Sequence, residues 1–422
     1  MLKLKYFPVL LVIAMLFIGS GCKMDYRSKD DYNGSSPTET KKDLSAIQFL
    51  SSSDIEIITE LRYDKDDFNI IVASGELRDY SNYKFTKTGN SYSSSANLYG
   101  SNSALLARGE GMLNVWSSII ISSGDNANAV FAFGKNTSAT VSDCVILTQG
   151  DHSAGIVAAA EAEVTAKHIT VETKGTNSSP IRAERKGIVN AVRGSYTSFA
   201  SSSPVVYSAS DVTVSNARLE SKYSQSVILE GLNSVTLISC DITANHHSAA
   251  SSDSDNFQAV LIHQKNSPSP VGTIATLTVN DSKLTNTKGD VFSVTNNKAD
   301  ITVINTDITN KDLTGFLLDV TSSDVNFRIS DQAYDSDITL DNNSRLNFYM
   351  SNVVFDGAVN ANNYLAEIHV DVSDSYWNLA DDSYISSLTC ESDCIRLNGH
   401  NLFVDGAAYV EGTVMEGSPI EF

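Results

Sequence analysis

The sequence predicts an all-β fold, a right-handed parallel β-helix, on three observations: a unit that recurs along the chain, a short apolar strand at a fixed place in each unit, and only 19% charged residues among many small polar ones. The longer half of the unit reads ATVSDCVILTQ from Ala139, AEVTAKHITVE from Ala162, SDVTVSNARLES from Ser210, NSVTLISCDITAN from Asn233, ATLTVNDSKLTN from Ala275 and ADITVINTDITN from Ala299. The shorter half reads AVFAF from Ala129, GIVAA from Gly155, PIRAE from Pro180, PVVYS from Pro204, SVILE from Ser226, AVLIH from Ala259, DVFSV from Asp290 and GFLLD from Gly315. Val130, Ile156, Ile181, Val205 and Val227 follow at 26, 25, 24 and 22 residues, the length of one solenoid coil. Steps of 33 and 31 residues to Val260 and Val291 place loop insertions at HHSAASSDSDN and NSPSPVG. Coils of this kind bury their alternate apolar residues only by stacking, so the body is expected to be one cooperative column.

In chain order, residues 1–22 read as an export signal: Lys3 and Lys5, then an apolar run from Tyr6 to Ile18. That run is short for a membrane span, which takes about 20 residues. IGSGC resembles the lipobox of bacterial lipoproteins, which implies lipidation of Cys22 and a place in the cell envelope, anchored in the membrane. Gly19 departs from the aliphatic residue that motif prefers, and plain cleavage or an uncleaved anchor stay open. Residues 23–43 lack any apolar period and read as a tether. Within them, KDD at Lys29 to Asp31 loosely resembles the surface-export tags of Bacteroidota lipoproteins. Residues 44–103 are expected to cap the column, because an open sheet edge invites aggregation. Residues 104–422 form the helix, with LNFYMSNVVFDG, IHVDVSDSYWNL and NLFVDGAAYVEG as degenerate last coils.

A formal charge of −20 excludes nucleic acid as the main partner, since phosphate binding needs a cationic footprint. Glycans, cations and proteins remain as partner classes. Cys144, Ala217, Cys240, Ser282 and Thr306 share one position of the repeat, which marks a tight inward corner that Lys167 interrupts. Cys144 and Cys240 lie four coils apart, about 19 Å, too far to bridge. Cys390 and Cys394 in TCESDCI are a disulfide candidate or equally two free thiols.

LYGSNSALLARGEG, NAVFAFGKNTSATVSD, SPIRAERKG, SPVVYSASDVTVSNARLES, VILEGLNSVTLISCDI and NTKGDVFSVTNNKADITVINTDITN resemble the exported right-handed β-helix proteins of gut and other anaerobic bacteria. Those proteins are described as adhesin-like within the pectin-lyase-like superfamily. The resemblance runs from about Asn97 to Gly406 and implies the fold and a recognition role. It carries over no catalytic residue.

A polysaccharide lyase or glycoside hydrolase is the alternative. NTD at Asn305 to Asp307 matches one polygalacturonase element but occupies a turn position of the repeat, and the Gly-His-Gly and Arg-Ile-Lys elements are missing. Arg182, Arg185 and Lys186 supply the base a lyase needs, without a neighbouring Asp trio for calcium, and read as a charged turn. Asp253 and Asp255 are a weak calcium site without the Gly and Glu of an EF-hand loop; no other cofactor is expected. Thr170, Thr243, Thr285 and Thr309 share an outward column, as in ice-binding solenoids, interrupted by Glu220 and Leu147.

One constellation stands out. Alternation on the shorter strands sends Ile181, Val205, Val227, Val260, Val291 and Phe316 inward, with Ala183, Tyr207, Leu229, Ile262, Ser293 and Leu318. Arg182, Val206, Ile228, Leu261, Phe292 and Leu317 face outward, followed by Glu184, Ser208, Glu230, His263, Val294 and Asp319. Such a half-apolar face is either covered by residues 44–103 or a loop, or binds a ligand. Arg182, Glu184, Ile228, Glu230, Leu261, His263 and Phe292 are then the binding candidates. Glu184, Glu230 and His263 are the only catalytic ones, the two Glu backbones lying about 9.6 Å apart.

Overall fold

The computed structural model describes residues 49–93, 95–246, 257–264 and 274–422. Strands make up 55% of the chain and wind into a parallel β-solenoid of about 12 turns. Each coil has three walls. The first is built of strands such as Val130–Phe133, Ile156–Ala159, Val227–Glu230 and Gln258–His263. The second follows with Ser138–Ser142, Ser234–Ile238 and Ala275–Asn280, the third with Val145–Thr148, Asp241–Ala244 and Lys283–Asn286. Each strand pairs in parallel with its equivalent one coil on, and the alternate inward residues merge into one core reaching from Ala73 to Tyr409.

The corner between the second and third walls explains the small-residue column. Asp143, His168, Arg193, Asn216, Ser239, Asp281 and Asn305 all take left-handed backbone, with φ between 43° and 60°. The next residue in each coil turns inward and is buried: Cys144, Ile169, Gly194, Ala217, Cys240, Ser282 and Thr306. Lys167 does not interrupt this column; it pairs with Ser142 on the second wall and is exposed. The same slip of two residues moves Thr170 beside Val145, and Glu172 takes its place beside Leu147. The Thr column is thereby reduced to later coils, where Thr243, Thr285 and Thr309 do stack.

Regular stacking begins inside the stretch expected to cap the column. Thr59–Tyr63 pairs with Tyr83–Lys87, Ile71–Ser74 with Leu105–Arg108, and Leu77–Ser81 with Met112–Trp116. At the far end the last strands turn antiparallel: Met415–Glu416 closes on Thr389 and Cys390, and Ala407–Ala408 on Phe403 and Val404. The final residues run back over the second wall, where Ile420 exchanges hydrogen bonds of 2.8 and 3.0 Å with the Asn347 amide. The antiparallel closure on Thr389 and Cys390 covers the sheet edge there. Among the described residues no helix is long and apolar enough to cross a membrane.

Candidate recognition face

The register of the first wall settles which residues face out. Val130, Ile156, Ile181, Val206, Val227, Val260, Phe292 and Leu318 form one inward column. Phe292 is therefore a core residue, fully buried and 6.0 Å from the Phe327 ring, not a ligand contact. Val206 and Leu317 are likewise buried. The outward row reads Arg182, Tyr207, Ile228, Leu261, Ser293 and Asp319, and the next outward row places His263 beside Glu230. A slip of one residue sends every side chain of a strand to the other face, which is why Val206, Phe292 and Leu317 give their expected outward places to Tyr207, Ser293 and Asp319.

The inward positions explain the choice. Ala132, Ala158, Ala183 and Ser208 follow one another inside the coil, a narrow column with no room for a phenol. Ile156, Ile181 and Val206 are spaced by 25 residues, so a constant coil length carried through the Pro204 strand would have sent Tyr207 outward.

On the outward face the charges are already joined. Arg182 and Arg185 each hold Glu184 at 2.9 Å. The Arg182 guanidinium lies 5.3 Å from the Tyr207 ring centroid, and the Tyr207 hydroxyl donates to Glu230 one coil further on. Burial, followed by the Glu230 hydrogen bond, pushes the Tyr207 phenol well above its ordinary range, so it stays a donor at neutral pH. Ile228 and Leu261 sit side by side next to this chain of groups, each half-buried.

Upstream the same face is covered. Leu106, Phe131, Ala154, Val157 and Ala159 form a small apolar cluster outside the main core. The helix Ser95–Tyr99 lies over its edge: Tyr99 meets Phe133 edge-on at 5.3 Å, and Arg185 donates to the Leu98 carbonyl. Gly100 follows in left-handed backbone, φ 69°, where a Cβ would stand 2.6 Å from the Phe131 ring. Cover from Leu98, Tyr99 and Gly100 thus extends to the coil of Arg182, and the expected apolar stripe beyond it is a mixed polar surface.

Downstream, Asp319 is set among carboxylates. Burial, then the charges of Asp290 and Asp341, raise its carboxyl to about 6. Burial also raises Asp290, whose Oδ1 accepts the Phe316 N–H at 2.8 Å. Asp319 belongs to the row of Arg182 and not to the second outward row expected from the sequence.

Cys390 and Cys394 are free thiols, both buried; Cys390 Sγ lies 3.8 Å from the Tyr409 hydroxyl and Cys394 Sγ donates to the Glu391 carbonyl at 2.9 Å. Cys22, Asp253 and Asp255 lie outside the described residues. At the surface, Asp381, Asp382 and His400 bring potential metal-ligand atoms within 4.8 Å of one another, but Asp382 already accepts the Asn401 N–H at 2.7 Å.

No family model matches the chain, and neither a curated protein nor a solved structure matches it.

Proposed function

We propose that this chain is a lipid-anchored, surface-displayed recognition protein, adhesin-like within the pectin-lyase-like superfamily, that engages a carbohydrate or a cell-surface protein through the outward face of its first wall. The observation that carries this reading is the line from Glu184 through Arg182 and Tyr207 to Glu230, beside Ile228 and Leu261. Groups held by one another in this way are pre-oriented, which lowers the ordering cost of binding. Polar groups of fixed direction beside an apolar floor suit sugar hydroxyls or a protein rim.

The same pairing argues against catalysis there. Both carboxylate oxygens of Glu184 are taken up by guanidinium groups, Oε2 by Arg182 and Oε1 by Arg185, which leaves neither free to meet a substrate. Glu230 is occupied by the Tyr207 phenol. The net charge of −20 disfavours nucleic acid and acidic polymers.

A glycan array with the purified protein, followed by product analysis on each glycan that binds, tests the reading. Binding without cleavage, weakened in an Arg182→Gln, Tyr207→Phe variant, supports recognition on this face. Altered products would favour the lyase or hydrolase reading, and binding untouched by the double variant would remove the face from consideration. Anchoring is tested by detergent partition, where Cys22→Ser is expected to move the protein to the aqueous phase.

A further inference from the structure

At the far end of the solenoid, on coils that the recognition face does not include, a cleft of about 330 Å³ opens between the turn at residues 360–366 and the strands Ser383–Ile385 and Leu402–Val404. Its wall is aromatic. Tyr384 and Phe403 are neighbours in register on successive coils, their rings stacked at 4.9 Å and 5° from parallel. Tyr364 and Leu365 face them across the opening, 42% and 86% exposed.

The cleft is held in shape by a residue that a ligand need not touch. Asn360 is buried, and its amide donates to the carbonyls of Tyr364 at 3.0 Å and Tyr384 at 3.2 Å while its Oδ1 accepts the Tyr364 N–H at 3.0 Å. One side chain thereby fixes the turn to the aromatic wall. Leu365 is tied by its N–H to Asn342 Oδ1 at 2.8 Å. At the rim, the Asn363 amide and the Asp405 carboxylate are exposed and have no side-chain partner among the described residues.

The geometry points to a binding site for a neutral sugar, one or two pyranose rings of a longer chain. Ligand pockets begin at about 300 Å³, so the space suits a small ring and not a folded segment. Aromatic walls match the C–H faces of a pyranose, and an amide with a carboxylate at the rim matches its hydroxyls as donor and acceptor. No lysine or arginine lines the cleft, and Asp405 repels a uronate, so the acidic sugars of pectin are excluded. The inference rests on its own residues and stands or falls apart from the face of Arg182 and Tyr207.

Calorimetric titration of the full-length protein with neutral cello-, xylo- and manno-hexaose, and with a galacturonate hexamer as the acidic control, tests it. Binding of at least one neutral hexaose is expected, with none of the galacturonate. Asp405→Ala and Tyr364→Ala change exposed residues and keep the fold, and each is expected to weaken that binding about tenfold. Tyr384→Ala is expected to abolish it, with strand content checked by circular dichroism. Failure of every neutral hexaose to bind, or binding that Asp405→Ala and Tyr364→Ala both leave intact, would overturn the proposal.

Discussion

The Tyr207 hydroxyl donates to the carboxylate of Glu230 on the next coil, so a single hydrogen bond crosses the ladder between two strands that the backbone already pairs. Tyr207→Phe keeps the ring under Arg182 and removes only this donor. Hydrogen bonds to charged groups are worth about 1.5–3 kcal/mol when buried, and the partial exposure of Glu230 lowers the expectation to about 1 kcal/mol. Urea unfolding of the two proteins side by side measures it; an unchanged midpoint would mean that the bond contributes nothing to stability.

How much of this face could be read in advance depended on register. Glu184, Glu230 and His263 lie on the outward side of their strands, as the alternation read from Ile181, Val227 and Val260 expects, because those three residues all belong to the inward column. Tyr207 and Phe292 were exchanged with their neighbours because PVVYS and DVFSV each hold adjacent apolar residues, either of which satisfies a buried column. The packing inside the coil decides between them: Ser208 continues the column of Ala158 and Ala183, and Val294 stacks between Ile262 and Val320. The Tyr384 and Phe403 cleft was not legible: its residues come from three coils where the repeat has faded, and no spacing in the chain links them.

Asp319 makes the protein more stable in mild acid than at neutral pH, as far as this group is concerned. Its carboxyl is raised from 3.8 to about 6, by burial first and then by Asp290 and Asp341. Between those values the folded chain holds more protons than the unfolded one, so stability falls as pH rises through the window and is level above it. The effect is on the order of 2 kcal/mol. Asp319→Asn is therefore expected to raise the melting temperature at pH 7 but not at pH 4, and equal shifts at both would contradict the assignment.

Gly194 occupies the corner position between Arg193, in left-handed backbone, and the third wall. Its φ is 126°, unlike the 43° to 60° of the residues that precede the same corner in other coils, and a Cβ would stand 2.2 Å from the Ile169 carbonyl oxygen of the coil below. Gly194→Ala has to move one coil against the next and is expected to cost about 3 kcal/mol. Asn216→Gly, at the residue that turns the following coil, is expected to stay within about 1 kcal/mol. Similar unfolding midpoints for the two variants would show that the corner is more pliant than the geometry implies.

The four thiols among the described residues should separate by reactivity. Burial pushes Cys144 and Cys240 up to about 12, inside the column and four coils apart, and neither is expected to react with iodoacetamide at pH 7.5 in the folded protein. Cys390 is different. The hydrogen bond from Cys394 brings it down to about 7, while Cys394, which supplies that bond, is raised. A thiol drawn toward ionisation four residues from a second thiol is the arrangement from which a disulfide forms once an oxidant accepts the electrons. Peptide mapping after brief alkylation is expected to find label on Cys390 first. After treatment with oxidised glutathione it is expected to find a Cys390 to Cys394 bridge, with Cys144 and Cys240 still reduced. Uniform labelling of all four would mean that the core opens on the timescale of the reaction, and label on Cys394 ahead of Cys390 would reverse the assignment of donor and acceptor.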